Sequence, residues 1–253
     1  MCGRYVDPAE AAMERFWTID RRNWRFPELP RFNVPPASEV PIIVRAPDGA
    51  IEMLGARWGL IPRWWKKDSL PTLSFNARSE EAAQKPMWRD ALRSTRCIMP
   101  IRGWFEWNEN EQVKTASGRK TNQPYFHYCP DEPVIGVAGL WSIWRAADDT
   151  EIITCALLSK EAAPSIAHVH HRMPVILHQD QFGDWLHPDT SPARVQEIIA
   201  SARGDFSAHR VDTAVNNVRN DGPHLIELLS PPDEFSMFHS DRRDRSDSGH
   251  DFQ

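Results

Sequence analysis

Residues 97–107 read Cys97-Ile98-Met99-Pro100-Ile101-Arg102-Gly103-Trp104-Phe105-Glu106-Trp107, an apolar, partly aromatic run that predicts a buried β-strand. Working outward, Pro124 to Cys129, Val134 to Trp141 and Glu151 to Ser159 have the same character and predict three more strands. The polar segment Asn108 to Asn122 reads as a mobile hairpin loop. Upstream, Val40 to Ala46 and Ile51 to Trp58 flank Pro47-Asp48-Gly49, the pattern of a β-hairpin. Met173 to Leu177 and His209 to Val215 read as further strands, and Pro223 to Leu229 as a closing segment.

Short helices surround this centre. Ala9 to Trp17 carries an apolar stripe of Met13, Phe16 and Trp17, with Asp7 as its expected N-cap and Pro8 at its first position. Ser79 to Ser94 predicts a helix broken near Pro86. Lys160 to His168, Gln179 to Leu186 and Pro192 to Ala202 predict three more. Arg22 to Pro36, rich in proline and arginine, reads as loop. With no repeat and no linker, the pattern implies α+β: a single domain, residues 1–230, around an antiparallel, barrel-like β-sheet with peripheral helices. Residues 231–253, dominated by Ser, Asp and Arg after Phe238, read as a disordered polar tail.

The totals exclude several classes. A 41% hydrophobic and 26% charged composition is that of an ordinary soluble protein. No apolar run approaches the ~18 residues of a membrane span, and no secretory signal is legible. Cys2, Cys97, Cys129 and Cys155 form no Cys-x-x-Cys pair, which argues against a disulfide scaffold and a zinc site. A reducing compartment, the cytoplasm, follows from that. The net charge of −5 has the wrong sign for a general nucleic-acid binder, but three of those five charges lie in the tail. A local basic groove therefore stays compatible with the total.

Chemistry concentrates in a few stretches, beginning with Met1-Cys2-Gly3-Arg4-Tyr5. Removal of Met1 would leave Cys2 with an α-amine of pKa ~8 beside a thiol of ~8.5, a pair that condenses with an aldehyde and closes a thiazolidine ring. Residues 56–67, ARWGLIPRWWKK, interleave Arg57, Arg63, Lys66 and Lys67 with Trp58, Trp64 and Trp65. That pattern suits a single-strand platform, and equally a core edge with snorkelling charges. Asn76, in Ser74-Phe75-Asn76-Ala77-Arg78-Ser79-Glu80, suits a helix cap or an anion-binding turn. Glu106 stands between Trp104-Phe105 and Trp107, where burial would raise its pKa into the range of an acid/base; the same alternation also permits a solvent-facing carboxylate. His168-Val169-His170-His171-Arg172 offers imidazoles as proton shuttles, without carboxylate or thiol partners at metal-ligand spacing.

In this order, and with Asn33-Val34-Pro35-Pro36, Trp58-Gly59-Leu60-Ile61-Pro62, Asn76-Ala77-Arg78, Ala138-Gly139-Leu140-Trp141 and His170-His171-Arg172-Met173-Pro174, the stretches resemble the SOS response-associated peptidase family from Cys2 to about Leu229. The chain departs from the family at Pro35, where alanine is frequent. The resemblance implies a sensor of abasic sites in single-stranded DNA that links Cys2 to the ring-opened deoxyribose through a thiazolidine. It implies that Asn76 orients the adduct, Glu106 shuttles protons and His170 promotes sugar ring opening, the His-x-Arg spacing selecting His170 over its neighbour His171. Arg4, Arg78 and Arg172 would hold phosphates, and Trp64 and Trp65 would stack near the lesion. No cofactor or metal is implied, a monomer suffices, and no replication-fork partner is legible. A bacterial host would place the protein at the nucleoid. Two other readings stay open: a cysteine peptidase using Cys2, Glu106 and His170, in its mildest version removing its own Met1 or a short leader, and a non-covalent reader of modified bases.

Overall fold

The computed structural model describes residues 2–17, 30–67, 71–72 and 74–229. The expected tail, 231–253, and residues 22–29 of the expected loop lie outside the described residues.

The run at 97–107 is two strands rather than one. β1 (Tyr5–Val6), β2 (Glu39–Arg45), β3 (Ile51–Trp58) and β4 (Asn76–Arg78) precede it. β5 (Arg96–Ile101) then ends at Arg102, and β6 (Gly103–Lys114) begins in a different sheet. Gly103 permits the switch, because a Cβ there would lie 2.3 Å from the carbonyl oxygen of His127. β7 (Lys120–Tyr128), β8 (Ile135–Arg145), β9 (Glu151–Glu161), β10 (Arg172–Pro174) and β11 (Ser207–Arg210) complete the set.

β8, β9, β3, β2 and β5 close into a five-stranded barrel, since β8 pairs with both β5 and β9. Closure removes the free sheet edges. All contacts in the ring are antiparallel except β3 with β9. β10 and β4 also pair with β9, antiparallel and parallel respectively. A second, antiparallel sheet runs β1-β6-β7-β11.

Alternation along the barrel strands sorts their apolar side chains into two clusters. Ile43, Ile98, Ala138, Ala156 and Leu158 pack with α1 (Glu10–Phe16), α3 (Arg89–Ser94), α4 (Phe182–Leu186) and α5 (Pro192–Ala200). Ile42, Cys97, Met99, Val137, Cys155 and Leu157 pack with Tyr5 and Trp104 of the second sheet. Arg96, buried with no carboxylate partner among the described residues, donates to the carbonyls of Leu92, Arg93, Trp185 and His187. It thereby satisfies acceptors that α3 and α4 leave open at their C-terminal ends.

Several local expectations are corrected. Asp7 does not cap α1, whose N-cap is Ala9. Its carboxylate is fully buried and accepts from Arg31 Nε at 2.6 Å, because pairing of β1 with β6 draws it under the sheet. Asn108 to Asn122 is no loose loop: β6 and β7 stay paired as far as Lys114 and Lys120, with an irregularity between Asn108 and Gln112. Their polar side chains suit a ribbon wet on its outer part, while the backbone ladder holds. Lys160 to His168 is not helical; β9 continues to Glu161 against Arg172, and turns follow beyond Pro164. The strand expected at His209 to Val215 stops at Arg210, since the Asp212 side chain accepts from Ala214 N (2.7 Å) and starts a 3₁₀ turn. The Ser79 to Ser94 helix is divided into α2 (Ser79–Ala82) and α3, as Pro86 suggested.

Candidate active site

The site forms where the N-terminal segment crosses from the four-stranded sheet to the barrel. Tyr5 pairs with Trp104, and the Arg4 carbonyl accepts from Phe105 N at 2.9 Å. That register carries the preceding residues alongside Glu106. On the barrel side, Asn76 opens β4, opposite Leu157 of β9. Its Nδ2 donates to the Cys2 carbonyl at 2.6 Å, and its Oδ1 is buried without a hydrogen-bond partner among the described residues. Asn76 is therefore not the cap of α2; that position is Arg78, with no side-chain cap. A buried, unused acceptor beside Cys2 marks where a donor from a ligand would be accommodated.

Two buried groups set the electrostatics. Glu106, 2% exposed, is pushed up to about 7 by desolvation. The Cys2 thiol, also 2% exposed, is raised well above its usual range, first by burial and then by the Glu106 charge. Near neutrality Cys2 is thus a thiol rather than a thiolate, and Glu106 is balanced between donor and acceptor. The solvent-facing alternative for Glu106 is excluded.

His170 is half-buried in the turn before β10, and burial holds its imidazole below the usual range. Its Nδ1 lies 3.0 Å from the Arg172 N–H and 3.2 Å from the Arg172 carbonyl, so the backbone of Arg172 holds that edge of the ring. His171 stacks on it at 4.4 Å but is exposed. His127 was not foreseen. It lies on β7 opposite Trp104, stacks on that indole at 5.0 Å, and is pushed down to about 3 by burial. A second neutral imidazole thus backs the Glu106 face of the sheet. Only the β6–β7 register reveals it, since His127 sits diagonally from Glu106 across the pair Glu106–Tyr125.

The remaining expected residues fall into three groups. Arg4 points inward: its Nη1 donates to Asn33 Oδ1 (2.7 Å) and the Val215 carbonyl (2.9 Å), and its guanidinium lies 5.7 Å from the Trp107 ring. Asn33, also unforeseen as a site residue, donates to the carbonyls of Val215, Asn217 and Asn220, tying the early loop to the last turn. Arg78 is exposed, whereas Arg172 is clasped end-on by Glu80 at 2.8 and 3.0 Å and donates to the Ser159 carbonyl at 2.7 Å.

Trp64 and Trp65 lie towards the other end of β9. The chain after β3 follows that strand backwards, Gly59 N reaching the Cys155 carbonyl and Ile61 N reaching Thr154 Oγ1. The Trp65 carbonyl then accepts from the Trp144 indole at 2.9 Å. Trp64, 47% exposed, lines a cleft of about 270 Å³ with Arg63, Arg93 and Thr95. Trp65 lines one of about 480 Å³ with Lys66, Lys67 and Arg145. Among the described residues, no cluster of three His, Cys, Asp or Glu side chains is arranged to hold a metal ion, and no helix is long and apolar enough to cross a membrane.

A closed barrel beside a short antiparallel sheet, with Cys2, Asn76 and Glu106 at their junction, defines a class recognisable in comparison with known proteins. The chain belongs to the SOS response associated peptidase (SRAP) family, whose model matches residues 1–218. It is 31% identical over 232 residues to the abasic site processing protein YoqW of Bacillus subtilis, covering 90% of this chain and 99% of that one. It is 31% identical to the abasic site processing protein YedK of Escherichia coli, over 78% of this chain and 84% of that one. A crystal structure of a protein from Bacteroides thetaiotaomicron, 22% identical, superposes with a TM-score of 0.72 over 90% of this chain and all of that one.

Proposed function

We propose that the protein captures abasic sites in single-stranded DNA by a covalent bond to Cys2. The observation that carries this reading is the tether of Asn76 to the Cys2 carbonyl beside a buried Glu106 that titrates near 7. The names of the relatives YoqW and YedK support the same substrate class.

With Met1 removed, the Cys2 amine attacks the aldehyde carbon of the ring-opened deoxyribose. His170 promotes that opening by giving a ring-nitrogen proton to the sugar ring oxygen and taking one back from the anomeric hydroxyl. The resulting carbinolamine expels its hydroxyl as water, and Glu106 supplies the proton. Sγ then adds to the carbon of the protonated imine as the thiol proton passes to the Glu106 carboxylate, restoring its acid form. One C–N and one C–S bond form, one water leaves, and no cofactor is consumed. A thiol kept neutral by burial suits this order, because the imine is electrophilic enough without a free thiolate. It suits a thiolate-first peptidase less well.

Arg78 and Arg172 border the lesion pocket, and the Trp64–Trp65 surface takes the strand beyond it. Arg4 serves as organiser of the N-terminal segment. The described residues within 1–230 act as one unit, because Arg4 and Asn33 knit the N-terminal segment to Val215–Asn220. A monomer completes the site, and the substrate places the protein with DNA in the cytoplasm.

The test is a denaturing gel after incubation with a uracil-containing single strand treated with uracil glycosylase. Protein beginning at Cys2 is expected to retain the strand. Cys2→Ala, or a chain blocked by an uncleaved tag, is expected to lose retention while still shifting the strand on a native gel. Retention by Cys2→Ala would overturn covalent capture at Cys2.

A further inference from the structure

Arg172 lies two residues beyond His170, and Glu80 four beyond Asn76, so the ion pair between them spans the two sides of the candidate site. Both sides rest on β9. Asn76, Ala77 and Arg78 pair with Leu157, Leu158 and Ser159, while Arg172 and Pro174 pair with Glu161 and Ser159. Ser159 is the shared point, and it is buried at 1% exposure. Its hydroxyl donates to the Ala77 carbonyl (3.5 Å) and accepts from Arg172 Nη2 (3.3 Å); its carbonyl accepts from the same Nη2 at 2.7 Å. The Arg172 side chain is only 11% exposed, whereas Glu80 is 52% exposed.

An exposed single ion pair contributes little to stability. This one differs in geometry: the contact is bidentate, the arginine is otherwise enclosed, and a hydroxyl joins it to the residue next to Asn76. The backbone N–H of the same Arg172 holds Nδ1 of His170 at 3.0 Å. Displacing the guanidinium would therefore disturb both the span of the site and the setting of the His170 ring on the Arg172 backbone.

We propose that Glu80, Arg172 and Ser159 form a clamp in which Glu80 and Ser159 are positioning residues, fixing His170 against Asn76 across β9. Neither need touch the substrate. The clamp rests on the covalent-capture reading for its effect on rate, but its effect on His170 is independent of that reading.

The test uses Glu80→Ala and Ser159→Ala in the full chain, with Glu80→Gln as a variant that keeps one acceptor. Binding is measured with a strand carrying tetrahydrofuran, an abasic analogue that has no aldehyde, and capture with the true abasic strand at saturation. Capture is expected to slow about tenfold in each alanine variant, with Glu80→Gln between them and wild type. Affinity for the analogue is expected to stay within about twofold. Imidazole ¹⁵N shifts of His170 are expected to move in the same variants, reporting a weakened bond at Nδ1. Unchanged capture, or a loss explained wholly by affinity, would overturn the clamp. Should wild type form no adduct, covalent capture fails, and the ¹⁵N shifts alone decide: moved signals support the clamp and unmoved signals overturn it.

Discussion

The two ends of β9 carry opposite chemistry. Around Leu157 to Glu161, polar groups are tied to one another: Asn76 to the Cys2 carbonyl, and the enclosed Arg172 to Glu80 and Ser159. Around Ile152 to Cys155 lie the clefts with Arg63, Lys66 and Arg145, whose basic side chains stand beside Glu151, Asp148 and Asp149, and Trp64 nearby in the chain is half in solvent. Proton transfer needs fixed groups in a low dielectric, where a carboxyl can titrate near neutrality. Holding a flexible polyanion needs open cations and flat rings. One strand supports both by running from a packed junction to an open surface.

Glu106→Gln attacks the enclosed end and carries the largest expected effect. Capture is expected to slow by about a hundredfold, as for loss of a general acid–base. The same change should stabilise the fold in alkali. The pKa of Glu106 rises on folding from its ordinary 4.5 to about 7, so its protonation favours the native state in acid and that contribution fades as pH rises between those values. Above pH 7 the buried charge costs on the order of 3 kcal/mol. Urea unfolding at pH 4 and pH 8 checks the sign: Glu106→Gln gains on wild type at pH 8 only.

Trp64→Ala addresses the open end. Loss of one stacking ring should weaken binding of the tetrahydrofuran strand about tenfold, leaving capture at saturation near the wild-type rate. A fall in saturated rate would mean that the two ends are not separable. The smallest effect is expected from Arg78→Ala, at the border between the two chemistries. Affinity should fall a few-fold, and the slope of log K against log salt should lessen by about one.

How much of this was legible depended on the range of the interaction. Alternation and turn residues revealed the β2–β3 hairpin, and Pro86 the division of α2 from α3, because those signals are local. The family resemblance named Cys2, Asn76, Glu106 and His170, and the structure adds the contact of Asn76 with the Cys2 carbonyl and the burial of Glu106. The break at Arg102 was hidden, since a run of apolar residues does not say which sheet each half joins. Asn33 takes meaning only from carbonyls more than 180 residues away. Glu80 takes meaning only once β9 sets it against Arg172, 92 positions on. His127 is likewise invisible without the β6–β7 register.

The most direct measurement is the intact mass of wild-type protein, confirmed to begin at Cys2, after incubation with a glycosylase-treated uracil strand under denaturing work-up. Covalent capture predicts a heat-resistant one-to-one adduct lying one water below the summed masses. Only the two separate masses, from protein that still binds the strand, would contradict it and leave a non-covalent reader in its place.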